Sequence, residues 1–161
     1  MASRVIPVDP FDLVIFGGTG DLARRKILPG LFRRYLSGQM PENARIIGAA
    51  RSDLNREDYQ TMIKDAIAEF GGPEKEDSEA ISKFLETLNY TAIDAKGTAG
   101  WDTLSGMVRS DVIQAFYFSV APSLFGDLAS RLHSHKIANA KSRIVVEKPF
   151  GRDLETAKAL N

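Results

Sequence analysis

Three places in the sequence carry residues whose types and spacing could do chemistry. The first is Gly17-Gly18-Thr19-Gly20-Asp21-Leu22-Ala23. From Gly18 onward it fits G-x-G-x-x-(G/A), with Gly17 as an extra glycine in front. In that spacing a first glycine permits a tight turn, the next lets backbone approach a pyrophosphate, and a small third residue lets helix and strand pack closely. The free N–H groups and positive dipole end of a helix leaving the turn then face the anion. Context gives the match its weight: the apolar run Leu13–Phe16 leads directly in and a helical pattern leads directly out. The competing reading is an ordinary strand–helix turn rich in glycine. Asp21 would repel a phosphate and is read instead as the cap of the helix it starts. Of Arg24, Arg25 and Lys26, at least two read as a solvated helix face.

The second place is Arg51, at or just past the end of "RIIGAA" and followed by Ser52. In NAD-binding folds an acidic residue here accepts the ribose 2′-hydroxyl. A guanidinium suits a 2′-phosphate instead, through charge-assisted and often bidentate hydrogen bonds, and so argues for NADP over NAD. Its distance from the glycines exceeds the usual ~20 residues, so the first helix must be long or broken. Asp53 opposes this reading unless it turns away or caps a helix at Leu54. The third place is Lys148-Pro149. A lysine at a strand end, directly before proline, is held in restricted extended geometry. It could reach a phosphate, a substrate hydroxyl or the nicotinamide side of a cofactor, or could simply stand in solvent.

These residues need a frame, and the pattern of the chain supplies one. Short apolar runs at Leu13–Phe16, Arg45–Ala50, Tyr90–Ile93 and Ala115–Val120, with a fifth buried strand in "RIVVEKPFG", read as strands covered on both faces. Helical spacing appears over Asp21–Leu36, over "DLNREDYQTMIKDAIAEF", over "ISKFLETL" and over Pro122–His135. Pro29-Gly30 should kink or split the first helix. "GGPEKEDSEA" reads as a solvated loop within one domain. Strands alternating with helices imply an α/β fold, a Rossmann-like, doubly wound, mainly parallel sheet with helices on both faces. Ligands of such sheets bind beyond the carboxyl ends of the strands. That edge should carry Gly17–Asp21, Arg51, Asp94, Val120–Pro122 and Glu147–Pro149.

The totals agree with one such domain. The chain has 161 residues, of which 43% are hydrophobic, enough for a single core. Its formal net charge is zero, so nothing in the totals points to nucleic acid or an anionic membrane. There is no cysteine, which excludes disulfides and thiolate metal sites and suits a reducing cytoplasm. Prolines and aspartates interrupt "MASRVIPVDPFD", so no secretory leader is read there. The longest uncharged run, Val112–Gly126, is too short to span a bilayer. "DLETAKALN" opens a helical pattern that stops without a cap, which points to a longer natural polypeptide. Apolar surface left by such a cut should promote self-association.

"GGTGDLARRKILPGLF", "GAARSDL" and "RIVVEKPFGRDL" together closely resemble the amino-terminal coenzyme domain of glucose-6-phosphate dehydrogenases, from about Phe11 to the last residue. The resemblance implies oxidation of glucose 6-phosphate at its first carbon to the 6-phosphogluconolactone, with hydride passing to NADP+, at the entry to the pentose phosphate pathway. It implies a cytoplasmic, homo-oligomeric enzyme. By position, Gly17, Gly18, Thr19, Gly20, Asp21 and Leu22 would form the coenzyme turn and Arg51 would take the 2′-phosphate. Asp94 and Ala95 after the third strand, and Val120 and Ala121 in "SVAPSLF", would contact coenzyme. Lys148 would touch both coenzyme and sugar, and Pro149 would help align them. Ala121 stands where a second proline is often found, and Phe125 where a tyrosine can occur. The family's catalytic histidine, in an "IDHYLGKE"-like segment, has no counterpart in these 161 residues, nor has the antiparallel substrate domain. His133 and His135 read as ordinary helix residues, so this polypeptide alone is expected to be inactive. Two rival readings compete with it. A short-chain reductase or epimerase would need Tyr-x-x-x-Lys, but Tyr117 has Ala121 four places on. A nucleotide-binding module without chemistry stays open.

Overall fold

The computed structural model describes residues 10–38, 40, 44–70, 78–95, 97–138 and 142–146. Five strands form one sheet: β1 (Phe11–Phe16), β2 (Arg45–Ala50), β3 (Leu88–Ala92), β4 (Ile113–Phe118) and β5 (Arg143–Val146). Every pairing is parallel and the order is β3-β2-β1-β4-β5. The chain therefore reverses its direction of travel across the sheet between β1 and β4. In doubly wound folds that switch point opens a crevice at the strands' carboxyl ends.

Helices cover both faces. α1 (Leu28–Leu36), α2 (Arg56–Phe70) and α3 (Ser78–Leu85) pack on one side, where Leu13 and Ile15 of β1 meet Phe32, Ile63 and Phe84. α4 (Trp101–Met107) and α5 (Phe125–Ser134) pack on the other, where Val14 and Phe16 meet Trp101, Leu104, Leu128 and Leu132. Alternate residues of one strand thus serve two cores. That is why β1 reads as an unbroken apolar run rather than an alternating one.

Several details depart from the sequence expectations. α4 was not foreseen: only Trp101 and Leu104 of its seven residues are buried, too few for a clear helical period. α3 begins at Ser78, so the end of the expected loop is helical. Ile144 and Val145 of β5 are 45% and 42% exposed, because β5 is the last strand in the order and, among the described residues, lacks the two-sided cover of β1. The helix is not split at Pro29-Gly30, which lie within α1; the irregularity falls just before them. Ala23–Ile27 is a π-helical turn, and α1 starts behind it with proline at its first positions. Proline lacks the N–H that an α-turn needs, and a wider turn before it removes that demand.

A buried ion pair braces the sheet at the amino end of β1. Asp12 is fully buried. Its Oδ1 accepts from Arg109 Nε (3.0 Å) and Nη2 (2.7 Å), and its Oδ2 accepts from the Arg109 backbone N–H (2.6 Å). Gln114 donates to the Arg109 carbonyl at 2.8 Å, and Ser142 donates to Gln114 Oε1 at 2.8 Å. The network ties β1, β4 and the approach to β5 together at the edge opposite the glycine turn.

Candidate functional site

At the carboxyl ends of β1, β2, β3 and β4 lies a cleft of about 790 Å³. Gly17, Thr19, Gly20, Arg51, Asp94, Ala95, Val120 and Ala121 line it, together with Phe16, Ser52, Ser119 and Ser123. Four segments that are remote in sequence thus meet at the switch point.

The glycine turn is fixed by backbone geometry. Gly17 donates its N–H to Ala49 O of β2 at 2.8 Å, while the adjoining Phe16 carbonyl accepts from Ser119 N at 2.9 Å beyond β4. Gly17 therefore spans the switch. Its φ is +83°, and a β-carbon on it would stand 2.1 Å from the Ser119 carbonyl oxygen. The residue read as an extra glycine in front is thus the one that makes the tight turn. Gly20 then donates to Gly17 O at 2.9 Å, closing the loop onto the helix. The helix begins at Asp21, and Arg24 N already donates to Gly20 O at 3.1 Å; the N–H groups of Asp21, Leu22 and Ala23, ahead of that first bond, are the ones a helix start leaves for an anion.

Asp21 does not act as the expected cap. Its carboxylate takes Arg25 Nε at 3.1 Å, with Arg24 Nη2 at 3.9 Å. The i,i+4 spacing brings these side chains to one face, and the pairing offsets the negative charge beside the turn. Arg25 also lies over the Phe70 ring, 5.2 Å from its centroid. Arg25 and Lys26 are exposed, while Arg24 is half-buried with its Nε free of any hydrogen bond.

Arg51 is exposed on the bend after β2, at the rim of the cleft. Asp53 is exposed and not among the lining residues. It does not cap the next helix. Asn55 does, its Oδ1 accepting from Asp58 N at 2.7 Å, and α2 starts at Arg56 rather than at Leu54. Behind β3 the Asp94 loop is held by its own backbone, its carbonyl accepting from Gly97 N (3.2 Å) and from the Trp101 indole (2.9 Å). Phe125, at the start of α5, is buried with its ring 5.5 Å from that of Phe118.

Gly18, Asp21 and Leu22 belong to the turn but not to the cleft wall. Lys148 and Pro149 lie outside the described residues. His133 and His135 line no part of the cleft: His133 is exposed, and the His135 ring stacks on Trp101 at 5.9 Å with Nδ1 3.5 Å from Asp102. Among the described residues no group of His, Asp and Glu is placed to hold a metal ion, and no helix is long and apolar enough to cross a membrane.

Sequence reasoning missed two residues beneath the site. Tyr59 was counted among the apolar positions of its helix, yet its hydroxyl donates to Gly18 O at 3.0 Å. Gly48 lies in the middle of β2, and a β-carbon there would come 2.5 Å from the Tyr59 ring. A glycine inside a buried strand is itself a sign of close approach.

Residues 14–161 match the family model described as the glucose-6-phosphate dehydrogenase NAD-binding domain. The chain belongs to the glucose-6-phosphate dehydrogenase family. It is 44% identical to the glucose-6-phosphate 1-dehydrogenase of Rhizobium meliloti over 163 aligned residues, covering 100% of this chain and 33% of that protein. With the Gluconobacter oxydans enzyme the identity is 39%, over 96% of this chain and 32% of the relative. A crystal structure of glucose-6-phosphate 1-dehydrogenase from Mycobacterium avium superposes with a TM-score of 0.82 at 30% identity, covering 96% of this chain and 33% of that one. A glucose-6-phosphate dehydrogenase solved in complex with glucose 6-phosphate gives a TM-score of 0.79 at 29% identity, over 96% of this chain and 34% of that one. The chain thus spans about a third of the length of the glucose-6-phosphate dehydrogenases it matches. Its Rossmann-like sheet is the fold of their amino-terminal part.

Proposed function

We propose that this chain is the coenzyme-binding part of a cytoplasmic, homo-oligomeric oxidoreductase, with no nucleic-acid or membrane partner. The enzyme oxidises D-glucose 6-phosphate to 6-phospho-D-glucono-1,5-lactone. Residues 1–161 act as one NADP-binding domain, and the sugar-binding domain is supplied by further sequence. One observation carries the reading: in a chain of this family, the switch-point cleft has a glycine turn on one wall and a guanidinium, Arg51, on the rim of another.

The residues present fit a dinucleotide phosphate. Gly17 makes the tight turn that no side chain would allow beside Ser119, and the helix start offers N–H donors to a pyrophosphate. Thr19 adds a hydroxyl from the cleft wall. Arg51 takes the 2′-phosphate, with Ser52 beside it. Gly18, Asp21 and Leu22 shape the turn, and the Asp21 carboxylate is kept from opposing the anion by Arg25 and Arg24. Asp94 and Ala95 border one side of the cleft, and Val120 and Ala121 the other. Lys148 contacts coenzyme and sugar, and Pro149 aligns them. NADP+ supplies the hydride acceptor. A general base must also take the proton of the sugar's hydroxyl. Neither histidine of the 161 residues lines the cleft, so that base belongs to the sugar-binding part.

The test is calorimetric titration of the chain with NADP+ and with NAD+, repeated on Arg51→Ala. Removing a charge-assisted contact costs about 1.5–3 kcal/mol, roughly a 10- to 150-fold loss of NADP+ affinity. NAD+ should be little affected. Equal losses for both nucleotides would remove Arg51 from the role of phosphate reader.

A further inference from the structure

Two tyrosines stand directly behind the cleft without lining it. Tyr59, in the first turn of α2, is fully buried, and Tyr90 of β3 is 7% exposed. Their rings lie 4.9 Å apart at 30°. Tyr59 Oη donates to Gly18 O at 3.0 Å, and Tyr90 Oη donates to Ser52 O at 2.6 Å. The first acceptor belongs to the glycine turn and the second to the bend that carries Arg51. One stacked pair therefore tethers both segments.

The pair is built into the core rather than laid over it. Tyr59 can cross β2 only because Gly48 has no side chain. A buried phenol must find an acceptor for its proton, and each of these hydroxyls has a backbone carbonyl of the coenzyme edge. Burial raises the Tyr59 hydroxyl far above the ordinary range, with Tyr90 adding to the effect. Burial, and then the Asp53 carboxylate, push Tyr90 up to about 12. Arg51, Ser52 and Asp53 are all exposed. The Ser52 carbonyl is where this solvent-facing bend is tied back to the core.

We propose that Tyr59 and Tyr90 are positioning residues for the two anionic parts of the coenzyme. Tyr59 holds the turn that takes the pyrophosphate. Tyr90 sets the reach of Arg51 and Ser52, and so the discrimination between a ribose carrying a 2′-phosphate and one carrying a 2′-hydroxyl. The inference rests on the coenzyme reading given above.

Phenylalanine variants keep the rings and remove only the hydroxyls. NADP+ and NAD+ binding to the intact chain can be followed by fluorescence of its single tryptophan, Trp101, whose indole is bonded to the Asp94 carbonyl beside the cleft. Tyr90→Phe should weaken NADP+ by about tenfold and NAD+ by less than twofold, lowering the preference ratio. Tyr59→Phe should weaken both nucleotides by a similar factor and leave the ratio unchanged. Gly48→Ala, which crowds the Tyr59 ring, should reproduce the second pattern. A role in folding alone would lower the melting temperature in all three variants and leave the affinity of the folded chain for both nucleotides unchanged, which would overturn the proposal. If the wild-type chain binds both nucleotides and Tyr90→Phe leaves their ratio unmoved, the positioning role fails while the coenzyme reading stands. If the folded wild-type chain binds neither, the coenzyme reading fails and takes this inference with it.

Discussion

Alanine at Gly17 should be far more damaging than alanine at Gly20, although the glycine motif gives Gly20 the formal position and Gly17 none. Two costs fall on Gly17→Ala. A side chain at φ +83° pays about 1–2 kcal/mol for left-handed backbone. The new β-carbon would also sit 2.1 Å from the Ser119 carbonyl oxygen. Relief requires a backbone shift of about an ångström, and overpacking of that kind costs about 1–3 kcal/mol. Ser119 cannot yield freely, because its N–H is bonded to Phe16 O at 2.9 Å. The sum is about 2–5 kcal/mol, or roughly 4–20 °C in melting temperature for a domain of this size. At Gly20 the β-carbon would meet only Gly17 O at 3.2 Å, with no positive φ. A shift of a few tenths of an ångström accommodates it, and the stiffer unfolded chain returns about 0.4–1 kcal/mol. Urea denaturation of the two variants, with a common slope, measures the difference directly. Equal stabilities, or a less stable Gly20→Ala, would refute the assignment of Gly17 as the residue that spans the switch.

Other consequences follow from the same geometry. Asp12→Ala leaves the Arg109 guanidinium, 23% exposed, without its buried partner. A loss of about 3–5 kcal/mol in urea is expected, and NADP+ affinity of the folded fraction should be unchanged because the pair sits at the opposite edge of the sheet. Asn55→Ala should cost about 1 kcal/mol through loss of the α2 cap, visible as a lower urea midpoint at constant slope. The tyrosine pair predicts alkaline lability. In the unfolded chain both phenols lose their protons near pH 10, whereas in the folded chain Tyr90 holds its proton to about 12 and Tyr59 beyond that. The unfolded state then binds fewer protons, so stability is full below pH 10 and falls as pH rises from there toward 12, by at most about 1.4 kcal/mol per unit for each group, the Tyr90 contribution being lost by about 12. Tyr59→Phe/Tyr90→Phe should flatten that limb in denaturation curves taken between pH 9 and 12. Exchange of Asp21 for Asn removes exposed ion pairs and should change stability by less than 1 kcal/mol.

The sequence by itself determined the layer order and the edge at which to look for a site. Local rules suffice for that: unbroken apolar runs mean strands covered on both faces, their alternation with helices means a parallel sheet, and a parallel sheet offers ligands its carboxyl edge. Arg51, Asp94, Val120 and Ala121 could be assigned to that edge because each follows a strand, and an irregularity near Pro29 because proline denies one hydrogen bond. What the sequence could not decide is how residues remote in the chain share space. Gly17 reads as a spare glycine because its constraint is Ser119, more than a hundred residues later. Tyr59 reads as core because nothing local says that its hydroxyl meets Gly18 across Gly48. Asp21 and Asp53 were assigned caps by residue type, but Arg25 competes for the first and Asn55 stands nearer the helix for the second. Periodicity records which face a residue shows to the core, but its spatial neighbours are set by the order of the strands. That order, with β1 between β2 and β4, is a property of the folded sheet.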